Sequence, residues 1–406
     1  GGSGSHSLSL SHAHAHAHAQ SVSSYHSVGG MSAGAGGHAQ GGRTQGGHTQ
    51  GGHAQGGRAQ GAPWTTCVMA CGSDAFNQLG LDGEVLSLKL EPVRLLQQEL
   101  QHDDADASAS HDCIINMSAS AYMSLCVTTR GNLYVWGTLH AGKQPSGHGH
   151  GGHGGHGGLG EETKRIISSP TKMNLPEPRM RVSSVACGHE HAAIISQSGE
   201  LLTFGNGRSG CLGHGTTDST LTPRLVETMN SRGVVVGVSC GAEHTAAILR
   251  LQEGPGGDIQ YNELMTFGSN RAGQLGVGDD VLEASLPITV EYFMEIGLNI
   301  DQVACGMHHT LARSNEPSYL FSWGFGEAGR LGTGTDDMQS YPCRVPLPYG
   351  DVLSIGAGEQ HSLAVMDNGT VVAWGSNAFG QLGVGSMQEK TVAIPMQVTL
   401  PSKAFG

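Results

Sequence analysis

Four histidines, His191, His244, His309 and His361, each stand three residues after a glycine, Gly188, Gly241, Gly306 and Gly358. Imidazoles ligate metals and move protons, so a recurring histidine raises the question of a metal centre or a general base. One histidine per repeat, always in the same place, is spread through a repeat architecture and does not converge on one ion. A repeated structural hydrogen bond is the expected role. Cys187, Cys240 and Cys305 precede three of the glycines and share their register; they are expected as small core residues, not as thiolate ligands. The chain contains neither GxxxxGK[ST] nor HExxH, and its GxSxG match, Gly30–Gly34 "GMSAG", has no strand–turn–helix setting. No catalytic residue, no cofactor and no metal site is therefore expected, and the chain is not expected to be an enzyme.

The elements that carry these residues are legible as two alternating phrases. The histidine phrase reads "ACGHEHAAII" from Ala186, "SCGAEHTAAI" from Ser239, "ACGMHHTLA" from Ala304 and "GAGEQHSLAV" from Gly356. A worn copy, "SASAYMSLCV" from Ser118, has Ser120 for the glycine and Met123 for the histidine. The second phrase occurs six times: Cys71–Gly80, Trp136–Lys143, Phe204–Gly213, Phe267–Gly276, Trp323–Gly332 and Trp374–Gly383, the last being "WGSNAFGQLG". Its first glycines, Gly72, Gly137, Gly205, Gly268, Gly324 and Gly375, advance by 65, 68, 63, 56 and 51 residues, which marks a repeat protein. From the histidine position to the next Trp or Phe the spacing is 13 or 14 residues, except for 23 between His244 and Phe267.

Apolar runs such as "AAII" and "LLTFG" flank short Gly-containing turns, the signature of a β-hairpin. A glycine five residues after the first (Gly142, Gly210, Gly273, Gly329, Gly380; Asn77 in the first copy) points to a left-handed backbone position. "QLGVG" and a later proline-containing stretch are expected to supply the remaining strands. Small antiparallel sheets that are apolar on both faces are stable only when packed against one another. Radial packing makes a β-propeller; a linear β-solenoid is the alternative.

The pairing of "GxxH" with "WGxNxxGQLGxG" resembles the repeats of the regulator of chromosome condensation family, from about Trp64 to the end. That resemblance implies an all-β propeller of four-stranded antiparallel blades, seven being the family norm. With six turn phrases and five histidine phrases, about six blades are expected here, as an open ring or a segment of a larger protein. The resemblance also implies ring closure by strands beyond Gly406. Family members that act as guanine-nucleotide exchange factors for a Ran-like small GTPase use a protruding β-wedge. The insertion Leu251–Asn262, "LQEGPGGDIQYN", lengthens one hairpin and offers Glu253, Asp258 and Tyr261 for such a contact.

Composition bounds the rest. Residues 1–63, rich in Gly, His, Ala and Gln, bury too little apolar surface to offset chain entropy and are expected to be a disordered tail, with 64–406 forming the propeller. The histidine tracts in that tail and in Gly147–Gly158 are read as low-complexity sequence; weak metal chelation is the alternative. The formal charge is −13; removing Arg43 and Arg58 of the tail leaves 19 basic against 34 acidic residues, net −15. Such a body repels nucleic-acid phosphates, so no direct nucleic-acid contact is expected. No apolar run is long enough to span a membrane, and nine cysteines without CxxC pairs fit an intracellular, reducing setting, cytoplasm or nucleus. The expected function is a protein-interaction scaffold; the alternative is nucleotide exchange on a Ran-like GTPase.

Overall fold

A computed structural model of the chain describes residues 69–73 and 86–92 as backbone, and residues 112–143, 162–252, 260–348, 350–386 and 388–399. Glu253, Asp258, the 1–63 tail and the Gly147–Gly158 loop lie outside the described residues. β1 (Met69–Ser73) pairs with β2 (Leu86–Pro92). Five four-stranded antiparallel sheets follow in strict chain order. The first is β3 (Ile114–Ala119), β4 (Met123–Thr128), β5 (Leu133–Lys143) and β6 (Glu162–Lys172). The second is β7 (Val182–Cys187), β8 (His191–Ser196), β9 (Leu201–Gly205) and β10 (Thr220–Leu225). The third is β11 (Val234–Cys240), β12 (His244–Gln252), β13 (Gln260–Ser269) and β14 (Glu283–Thr289). The fourth is β15 (Ile300–Cys305), β16 (His309–Ser314), β17 (Leu320–Gly324) and β18 (Gln339–Arg344). The fifth is β19 (Val352–Ala357), β20 (His361–Met366), β21 (Val371–Ser376) and β22 (Thr391–Gln397). The short helices α1 (Glu227–Asn230) and α2 (Glu291–Glu295) join the second sheet to the third and the third to the fourth.

The first strand of each of these sheets lies beside the first strand of the next, so the sheets converge there and fan outwards as blades of a propeller. The core is between blades, not within them. Val182, Ile194 and Phe204 pack with Leu125, Leu133 and Trp136 of the preceding blade. Phe267 and Leu249 pack with Ile195 and Leu201 in the same way. This is why β4 and β8 are buried along their whole length: a strand sandwiched by neighbours on both faces shows no alternation of apolar and polar residues.

The first glycine of each turn phrase marks a β-bulge between third and fourth strands, as at Gly205, Gly268, Gly324 and Gly375. At Gly268, φ is +109° and a Cβ would stand 2.3 Å from the Glu243 carbonyl oxygen. The register of β1 with β2 breaks at Gly72 in the same way, which identifies that pair as the last two strands of the first unit. The later glycines Gly210, Gly273, Gly329 and Gly380 are left-handed as expected, with φ between +71° and +79°. Two expectations are corrected. The second copy makes no turn at Gly142, because β5 runs on as strand through Lys143 and pairs with β6. "QLGVG" is turn, not strand, and the fourth strands are formed by the proline-containing stretches alone.

Candidate partner-binding face

Three of the four histidines bridge blades. His191 Nε2 lies 2.8 Å from Thr245 Oγ1, His244 Nε2 3.1 Å from Thr310 Oγ1, and His309 Nε2 2.9 Å from Ser362 Oγ, each in the following blade. The hydroxyls in turn donate to the carbonyls of Cys211, Gln274 and Arg330, at 2.9, 2.8 and 2.8 Å. A hydroxyl has one hydrogen, and here it is committed to a carbonyl, so the oxygen must accept from the ring. The proton of each imidazole is thereby placed on Nε2. The glycine three residues earlier is required because the ring folds back over it: a Cβ at Gly241 would stand 2.1 Å from His244 Cε1. Trp323 and Trp374 donate their indole N–H to the same two carbonyls, Gln274 and Arg330, at 3.0 and 2.9 Å.

These rings are neutral. Burial pushes His191 down to about 4, helped by His189, and His244 down to about 3, helped by His191 and His308. Burial and then Arg330 hold His309 well below its ordinary value. The Nδ1 atoms of His244 and His309 have no hydrogen-bond partner, so a second proton would be a buried donor without an acceptor. Cys187 and Cys305 are inert for a related reason: loss of solvation raises both to about 12, and each thiol donates to a backbone carbonyl of the blade before it, Ser118 and Ser239. Among the described residues no group of three or more His, Cys, Asp and Glu is arranged to hold a metal ion.

The worn first histidine phrase confirms the bridging rule from the other side. Where Met123 replaces the histidine, the next blade has Ala192 in place of the hydroxyl, and Ser120 Oγ accepts from the Met123 N–H instead. Installing Met123→His alone is expected to cost about 2 kcal/mol or more, because the ring meets the Ser120 Cβ and its N–H finds no acceptor. Adding Ser120→Gly and Ala192→Ser is expected to restore the wild-type urea midpoint or exceed it; a triple variant no more stable than the single would refute the rule.

On the frame so fixed, the residue just before the histidine position is of four types over five blades: Tyr122, Glu190, Glu243, His308 and Gln360. All five are partly exposed, on the face that also carries the turn phrases. The groups are close enough to act on one another. Tyr122 stacks on His189 with ring centroids 5.0 Å apart and meets His140 edge-on at 4.9 Å. Glu190 accepts from Asn206 Nδ2 at 2.7 Å and Glu243 lies 3.7 Å from Arg208. His308 is held below its ordinary value by burial and then by Arg330, against the pull of Glu243 and Glu359. Burial and then Glu190 raise Tyr122. These residues form one mouth with mixed charge and aromatic surface. The individual histidine phrases hid it, because the informative position is the one that varies inside an otherwise constant phrase.

The long hairpin lies at the other end of the strands. β12 and β13 stay paired from His244↔Gly268 out to Gln252↔Gln260, with Tyr261 opposite Leu251. Tyr261 is partly buried, and the base is braced by the next blade: the Asn262 N–H donates to Asn299 Oδ1 at 2.8 Å and its side chain to the Ile300 carbonyl at 2.9 Å. The structure therefore does not bring Tyr261 together with the mouth. Asp112 is 5% exposed and accepts from Thr129, Arg130 and Asn132, locking the β4–β5 hairpin.

A family model described as the RCC1-like domain matches residues 144–405. The ultraviolet-B receptor UVR8 of Arabidopsis thaliana is 31% identical over 250 residues, 61% of this chain and 52% of the receptor. The human E3 ubiquitin-protein ligase HERC2 is 32% identical over 224 residues, 53% of this chain and 4% of the ligase. The chain thus matches about half the length of the first relative and a small part of the second. Among solved structures, Prp20p of Saccharomyces cerevisiae superposes with a TM-score of 0.64 at 21% identity, covering 84% of this chain and 74% of Prp20p, a likeness of fold.

Proposed function

The chain belongs to the RCC1-like domain family, and on that premise we propose that it is a protein-interaction platform whose recognition face is the mouth around Tyr122, Glu190, Glu243 and His308. The observation that carries this is the contrast inside each histidine phrase. The glycine and histidine repeat in four of the five blades and hold them together, while the partly exposed residue just before the histidine position is tyrosine, glutamate, glutamate, histidine and glutamine in turn. A rigid frame with a varied, mixed-charge surface discriminates between protein partners without covalent chemistry. The seven cysteines whose side chains are described are all free, which supports an intracellular setting.

Photo-crosslinking tests the face. A benzophenone side chain at His308 or Glu190 is expected to yield discrete partner adducts in cell extract, and one at Tyr261, across the propeller, is not. Glu243→Arg is expected to weaken the captured interaction by about tenfold, the size of one disrupted charge contact. Adducts confined to Tyr261 would overturn the assignment.

A second reading, nucleotide exchange on a Ran-like GTPase, is supported by the fold shared with Prp20p, whose structure was reported with its binding properties to Gsp1p and histones. An exchange factor needs no nucleophile, only tighter binding to the nucleotide-free state. Micromolar chain is expected to accelerate release of fluorescent GDP from such a GTPase; an unchanged rate ends this reading and leaves the platform standing.

A further inference from the structure

Each fourth strand of the last four sheets carries one proline, Pro223 in β10, Pro287 in β14, Pro342 in β18 and Pro395 in β22. Proline offers no ladder donor and belongs on sheet edges, so these strands form the outer rim and are blunted against strand addition. The residue before the proline is Thr222 in the second sheet, but Leu286, Tyr341 and Ile394 in the next three. Those three are 47%, 59% and 58% exposed. The fold does not demand an apolar residue there, because Thr222 occupies the same position.

Each of the three packs against a glycine in the loop of the preceding blade: Leu286 against Gly215, Tyr341 against Gly278 and Ile394 against Gly334. The same loops present exposed carboxylates: Asp218 in the first, Asp279 and Asp280 in the second, Asp336 and Asp337 in the third. The Ser340 hydroxyl donates to Asp279 and fixes that loop beside Tyr341. Along three consecutive blades the rim therefore alternates carboxylate and large apolar side chain. The nearby Arg344 is stacked over the Tyr319 ring, 3.7 Å from its centroid.

We propose that this rim docks a basic amphipathic polypeptide segment, its lysines or arginines set against the loop carboxylates and its apolar residues against Leu286, Tyr341 and Ile394. A second copy of this chain would oppose carboxylate to carboxylate, which the net charge of −13 makes worse. Backbone pairing is blocked by the prolines, so recognition is through side chains.

Fluorescence anisotropy with the full chain and three synthetic helical peptides tests the proposal. A Lys–Leu amphipathic peptide is expected to bind at least tenfold more tightly than Lys–Ser or Glu–Leu peptides of equal length. The triple variant Leu286→Ser, Tyr341→Ser, Ile394→Ser is expected to erase that advantage while keeping the wild-type melting curve, since all three side chains are exposed. The mouth variant Glu243→Arg is expected to bind the peptide as wild type does, which separates this rim from the platform face. Equal binding of the Lys–Ser peptide, an unaffected triple variant, or self-association in sedimentation that the triple variant abolishes would each overturn the proposal.

Discussion

Lowering the pH from 7 to 5 is expected to remove about 2 kcal/mol of stability for His191 and about 2 kcal/mol for His244, with His309 acting in the same direction. The folded-state values are depressed, to about 4 and about 3, below the unfolded value of about 6.5. Above pH 6.5 both states hold the rings neutral and the stability is fully present. As pH falls below 6.5 the unfolded chain takes up protons that the folded one refuses, and stability declines until the folded values are reached. The loss is comparable with a large share of a typical domain's margin of ~5–15 kcal/mol. Urea unfolding at pH 7, 6 and 5 measures it directly. His244→Gln, which keeps a donor toward Thr310 but cannot titrate, is expected to shrink the pH 7 to pH 5 difference. A midpoint independent of pH over that range would refute the neutral bridging histidine.

Gly241→Ala is expected to cost about 3–5 kcal/mol, in the range reserved for severe overpacking. The new methyl would stand 2.1 Å from His244 Cε1 and 2.6 Å from the Gly306 carbonyl oxygen of the next blade. Neither can move without breaking the bridge to Thr310. The double variant Gly241→Ala, His244→Ala removes the ring and leaves the carbonyl collision, so the two losses should add to less than their sum. Gly356→Ala is the internal control: no atom lies within 4 Å of its Cβ position, and a change within about 0.5 kcal/mol is expected. Additive losses, or equal losses at Gly241 and Gly356, would show that the glycine is not there to admit the ring.

Much of the architecture was legible in the sequence because a repeat writes the same constraint several times. A lone Gly–x–x–His is uninformative, yet four in register, three of them followed after 13 or 14 residues by an aromatic–glycine pair, specify a repeated hairpin. The spacing of 23 residues between His244 and Phe267 located an extended hairpin, and the structure continues its ladder to Gln252↔Gln260. Two local readings failed. Gly142 was expected to turn, but the pairing of β5 with β6 runs past it. "QLGVG" was expected to be strand, but its glycines serve a turn.

The sequence by itself determined the repeat and its hairpins, because those properties depend on local backbone demands and on a register that a single chain displays openly. Only the tertiary structure decided what each histidine touches and which variable residues share a surface. Thr245, Thr310 and Ser362 lie 54, 66 and 53 positions away from the rings they bridge. The mouth and the rim are each assembled from different blades, so their members are neighbours through radial packing and not through sequence. The same packing put the long hairpin and the mouth on opposite faces, since a strand that begins at a histidine turn ends on the far side of its blade.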